Sequence, residues 1–126
     1  MLANIEALKD RAYKLETIAI DYHTNMSRCM KSEQDIKLQI QRLAQYIEVH
    51  QILSDPARIN NVKAIRRTIT LNNFESEGHR ALKHSNSVIR KIHNAFTDLI
   101  DICEKEYRAS YPLRKKGFWK RLISND

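Results

Sequence analysis

The side chains best suited to chemistry are the histidines and the cations around them. Arg80 and His84 have three residues between them, and Arg90 and His93 have two. An imidazole exchanges a proton near neutral pH, and a neighbouring guanidinium can hold a phosphate. On one helix, Arg80, His84, Arg90 and Lys91 would share a polar side at about 100° per residue. That face would suit acid–base cleavage of RNA, the chemistry of a small helical ribonuclease. A solvated helix face accounts for the same residues with fewer assumptions, so no enzyme is expected.

Metal chemistry finds less support. Ligands on one helix face need spacings of three or four. His23, His50, His79, His84 and His93 never meet that requirement among themselves. Asp98 and Asp101 are i, i+3 neighbours, but bases such as Lys91 and Lys105 are near enough to pair with them. Two isolated glycines cannot build a phosphate loop. No metal and no cofactor are expected. Cys29 and Cys103 match no ligand spacing and read as reduced, buried thiols.

Recognition of an anionic partner is better provided for. Net charge is +7. Residues 1–53 are neutral, with seven bases and seven acids, so the whole excess lies in residues 54–126. Arg58, Lys63 and Arg67, then Arg80, Lys83, Arg90 and Lys91, form a basic series. On two collinear helices it would make a ridge that tracks a nucleic-acid backbone. No aromatic residues interleave with these bases, so single-strand stacking is poorly served. The second cationic block is KKGFWKRLI near the C-terminus, which holds the only tryptophan. At helical spacing Lys116, Lys120 and Arg121 fall on one side, joined by Arg114. Phe118, Trp119 and Leu122 fall on the other, with Lys115 intruding. A basic two-sided segment of this kind binds anionic membrane surfaces or acidic partners.

The elements that must carry these residues are helical. Ile5, Ala12, Leu15, Ala19, Tyr22, Met26, Cys29, Ile36, Ile40, Leu43 and Ile47 keep an alternating three-four spacing. Lys9, Glu33 and His50 interrupt it. The spacing predicts one long helix over about 3–53, with a possible break near residue 31, where Ser32 and Asp35 suggest a capping box. Asp55-Pro56 opens a second helix, to about 71, with Ile59, Val62, Ile65 and Ile69 on its apolar face. Asn72, followed by Glu75, reads as the N-cap of a third helix over about 73–110. Tyr111-Pro112 should end that helix, leaving a short amphipathic segment at 113–123.

The expected fold is therefore all-α: a long antiparallel helical hairpin or bundle with coiled-coil-like packing. Residues 1–112 would form the helical domain and residues 113–126 a basic tail. Helix 1 has an apolar face too wide for one partner helix, so a homodimer is expected. The N-terminus mixes acids and bases and has no apolar core of the secretory type. A cytoplasmic protein is expected, with peripheral membrane contact through the tail. The leading expectation is a non-enzymatic interaction or adaptor protein with a protein partner, its tail engaging an anionic surface. Nucleic-acid binding through the basic series is the alternative.

Overall fold

A computed structural model describes residues 2–124, and the side chains of residues 3–109. The fold is a four-helix bundle of α1 (Leu2–Thr24), α2 (Met30–Val49), α3 (Asp55–Thr70) and α4 (Ser87–Ser124). Each helix packs on its two neighbours around a ring, α1 on α2, α2 on α3, α3 on α4, and α4 back on α1. Short turns make α1, α2 and α3 successively antiparallel. The register of α4 against α1 is set by Lys9 Nζ with Glu104 at 2.6 Å and His93 Nδ1 with Glu16 at 2.8 Å. The residue numbers run in opposite senses, so the topology is up-down-up-down.

The core follows the apolar seam of the sequence. Leu8, Leu15 and Ala19 of α1 are buried, as are Ile36, Ile40, Leu43 and Ile47 of α2. Val62, Ile65 and Ile69 of α3, and Ile92, Phe96, Leu99 and Cys103 of α4, close the same core. Each fully buried Leu or Ile contributes about 1.5–3 kcal/mol relative to exposure.

Three expected boundaries are corrected. The long helix over 3–53 is two helices, interrupted at residues 25–29, so Met26 leaves the seam and is 83% exposed. The reversal is held by side chains within it and on either side of it. Arg28 donates from Nε and Nη2 to the Glu33 carboxylate at 2.7 and 3.0 Å, and the Tyr22 phenol donates to the same carboxylate. Cys29 is the N-cap of α2 and only half-buried, not a core thiol. The wide face of α1 is covered within the chain by α2 and α4, so a second copy is not needed to complete the bundle.

The third helix does not begin at residue 73. Residues 71–86 form an irregular crossing over one end of the bundle, and Ala81 and Ser85, which a helix over 73–110 would turn inward with Val88 and Ile92, are exposed there. Asn73 and Glu75 have φ of 61° and 50°, which no helix start can accommodate. Phe74 and Leu82 plug the end of the core instead. At the other boundary, α4 runs through Tyr111-Pro112 as one helix to Ser124. A proline inside a helix removes one amide donor and crowds the carbonyl four residues back. Here that defect does not end the helix.

α3 opens at Asp55 with Pro56 in its first turn, and the N-cap is Ser54, one residue earlier than expected.

Candidate functional site

α3 turns Val62, Ile65 and Ile69 inward, and its opposite side is exposed. Helical spacing places Lys63, Arg66 and Arg67 together on that outer side. On the α2 side they border an open groove of about 530 Å³. Val62 of α3 and Ala44 of α2 supply apolar lining, and Ile59 adds an aliphatic side chain that is 54% exposed. Ile59 therefore belongs to this surface and not to the core face assigned to it from the sequence.

The four cations of the groove are in two different states. Arg58 is tethered, with Nη1 at 3.6 Å from Glu48 and Nη2 at 3.5 Å from Asp55. Its Nε is buried and bonds to none of the described residues. Lys63, Arg66 and Arg67 form no ion pair among the described residues. Lys63 stands i, i+4 from Arg67 and i, i+3 from Arg66. Like charges at these spacings destabilise a helix by about 0.2–0.5 kcal/mol per pair. An anion laid along the groove removes that repulsion. A second cavity of about 500 Å³ adjoins the groove through Arg66 and Thr70, and Glu75 of the crossing borders it.

The basic series of the sequence is thus only partly assembled. Arg58, Lys63 and Arg67 share the groove, with Arg66 added. Arg80 and Lys83 lie in the crossing, and Arg90 and Lys91 on the first turns of α4. α3 and α4 pack side by side and are not collinear, so no single ridge runs through all seven. His84 also lies in the crossing, so no helical face unites it and Arg80 with Arg90 and Lys91. The side chains of Arg114, Lys115, Lys116, Phe118, Trp119, Lys120, Arg121 and Leu122 lie outside the described residues.

A polar cluster that sequence reasoning missed fills the end of the bundle under the crossing. Glu33 is 2% exposed and held by Arg28 and Tyr22. The Arg28 guanidinium, foremost, keeps the Glu33 carboxyl below the usual carboxylate range. Burial, reinforced by the bond to Glu33, pushes the Tyr22 phenol up to about 12. His23 is fully buried, with Nε2 at 2.7 Å from the Ile69 carbonyl. Asn73 locks the crossing from within: its Nδ2 donates to the Arg80 carbonyl and its Oδ1 accepts from the Arg80 amide, both at 2.9 Å. One signal was available: a glutamate at a seam position of an otherwise apolar stripe is tolerated only when paired.

A third opening, of about 310 Å³, lies between α1 and α4 over Ala12, Phe96 and Ile100. Its rim carries Glu16 and His93, already paired to each other. Among the described residues, no group of three or more His, Cys, Asp or Glu side chains could hold a metal ion, and no helix is long and apolar enough to cross a membrane. No protein-family model, no curated protein and no solved structure matches the chain.

Proposed function

We propose that this protein is a non-enzymatic interaction protein that docks an acidic amphipathic helix in the groove between α2 and α3. The observation that carries this reading is the placement of Lys63, Arg66 and Arg67, without an ion pair among the described residues, beside the apolar lining of Ile59, Val62 and Ala44. An amphipathic helix sets an apolar stripe into such a groove, read out at i, i+3, i+4 and i+7. Its flanking carboxylates then meet the cations. From Arg58 to Thr70 the groove follows α3 for about 18 Å, or three turns, at about 1.5 Å per residue.

Nucleic acid is the weaker fit to the same surface. The groove has no aromatic lining, and the cations of α4 and the crossing do not extend it. The basic tail supports a further anionic contact in a cytoplasmic adaptor, at a membrane surface or a second acidic site.

The test is fluorescence anisotropy with a labelled acidic amphipathic peptide, a scrambled peptide of equal composition, a duplex, and anionic vesicles. The amphipathic peptide should bind more tightly than the scrambled one, and more weakly as salt rises. Equal binding of both peptides overturns the groove reading. Preference for the duplex would favour nucleic-acid binding, and preference for vesicles would shift the function to the tail.

A further inference from the structure

We infer that two copies of this chain pair through α4, the C-terminal end of each helix seating in the groove between α1 and α4 of the other. α4 outruns the bundle. Lys9 of α1 pairs with Glu104, so the start of α1 at Leu2 lies level with about residue 111 of α4, at about 1.5 Å per residue in both helices. Arg11 lies over the Tyr46 ring at 4.7 Å, which sets the turn between α2 and α3 near the same level. α4 continues to Ser124, about 20 Å further. It is one uninterrupted helix, so its far end cannot fold back onto its own groove. Only a second copy brings the two together.

The charges of α4 change sign where it leaves the bundle. Residues 94–112 hold four acids and two bases, and residues 113–126 hold five bases and one acid. Asp98 and Asp101 are exposed and join no ion pair among the described residues. Asp101 borders the groove, whose lining of Ala12, Phe96 and Ile100 is apolar and whose other edge carries Tyr13, 71% exposed. An apolar floor thus lies beside carboxylates that have no cation. The segment past residue 112 has the complementary make-up, with Phe118 and Trp119 set among cations.

Helical register makes the two self-complementary. Eighteen residues are five turns, so positions 118 and 119 repeat the register of Ile100 and Asp101. In an antiparallel pair a two-fold axis turns the same face of each helix toward the other. An axis near residue 109 sets position 118 of one copy against position 100 of the other. Lys116 and Lys120 then come level with Asp98 and Asp101 in both halves of the contact. Such a contact is isologous and closes as a dimer. It rests on the reading of the tail as a segment that seeks an anionic surface, and it names that surface. It leaves the α2–α3 groove and the covered core face of α1 free, so its failure would not touch the docking of an acidic helix.

The experiment is sedimentation equilibrium of the full chain, with Trp119 emission followed over the same concentrations. The natural protein should pass from monomer to dimer and no further as concentration rises, with the emission shifting to the blue. Asp98→Lys with Asp101→Lys, and separately Lys116→Glu with Lys120→Glu, should keep the helical content and each raise the dimer dissociation constant at least about tenfold. An equimolar mixture of the two variants should dimerise again, because the reversed tail then meets the reversed groove and the natural tail the natural groove. A natural protein that stays monomeric at every concentration overturns the pairing. So do dimers indifferent to both reversals, or reversals in variants of natural helical content that mixing does not rescue. A monomer whose Trp119 emission shifts only when phosphatidylserine vesicles are added would give the tail to a membrane and overturn it as well.

Discussion

Tyr22 of α1 donates its phenolic proton to the carboxylate of Glu33 in α2, and the Glu75 amide of the crossing donates to the same phenol oxygen at 3.3 Å. One buried oxygen thereby ties three segments that are far apart in sequence. Arg28 completes the arrangement and neutralises the carboxylate. An unpaired carboxylate at that depth would be strongly destabilising, so the site stands or falls as a unit.

Acid should therefore loosen the bundle through Glu33. Its folded pKa lies below the ordinary value of 4.5, because of Arg28 first and Tyr22 next. A depressed carboxylate contributes stability that is complete above the unfolded value and is lost as pH falls through the folded one. Thermal melts should show Tm falling by several degrees as pH drops below 4.5 in the natural protein. Glu33→Gln should lower Tm near neutrality and flatten that slope. An unchanged slope would assign the acid sensitivity elsewhere.

The two thiols should react very differently. Ser32 donates to Cys29 Sγ at 3.2 Å, and that bond lowers the thiol pKa of a half-buried side chain. Burial pushes Cys103 up to about 12. Thiolate is the reactive form. Alkylation followed by mass spectrometry should modify Cys29 in the native protein and Cys103 only once the bundle is unfolded. Equal rates would contradict the packing of α4.

Core truncations should be costly and surface ones cheap. Ile65→Ala and Leu99→Ala each remove a fully buried side chain and should cost about 2–5 kcal/mol in denaturant unfolding. Lys91→Ala, at an exposed position, should stay within about 0.5 kcal/mol. A cost above 1 kcal/mol for Lys91→Ala, taken as roughly twice that bound, would reveal a missed interaction.

The groove should separate binding from stability. Lys63→Glu replaces an i, i+4 repulsion toward Arg67 with the favourable Glu-to-Arg order, and should raise stability by a few tenths of a kcal/mol. The same change should weaken binding of the acidic amphipathic peptide at least about tenfold. Lower stability, or unaltered binding, would show that α3 carries its cations for another reason.

Much of the fold was legible because a three-four apolar spacing is a local property of a packed helix. Leu8 through Tyr22, Ile36 through Ile47, Val62 through Ile69, and Ile92 through Cys103 keep seam residues that face inward as their spacing requires. The reversal at 25–29 was only partly legible: Ser32 and Asp35 pointed to a break near residue 31, but Asn25, Met26 and Ser27 carry no Gly or Pro, the N-cap is Cys29, and the turn is held by Arg28 and Tyr22 on Glu33. The crossing was misread for a similar reason. Asn72 and Glu75 mimic a helix start, whereas Asn73 bonds to Arg80 and His79 reaches back to Asn25. Of the groove, the outward placement of Lys63 and Arg67 was readable from α3 alone. The loss of the long basic ridge was not, since it depends on α4 folding back beside α3.

The most direct test of the docking account is chemical-shift mapping. The labelled protein would be titrated with the acidic amphipathic peptide while backbone amides are followed. The account predicts saturable shifts confined to α3 and the facing turns of α2, centred on Ile59, Lys63, Arg66 and Ala44, and lost in Lys63→Glu. Shifts centred on the C-terminal end of α4, or none at a concentration where the scrambled peptide binds equally well, would contradict it.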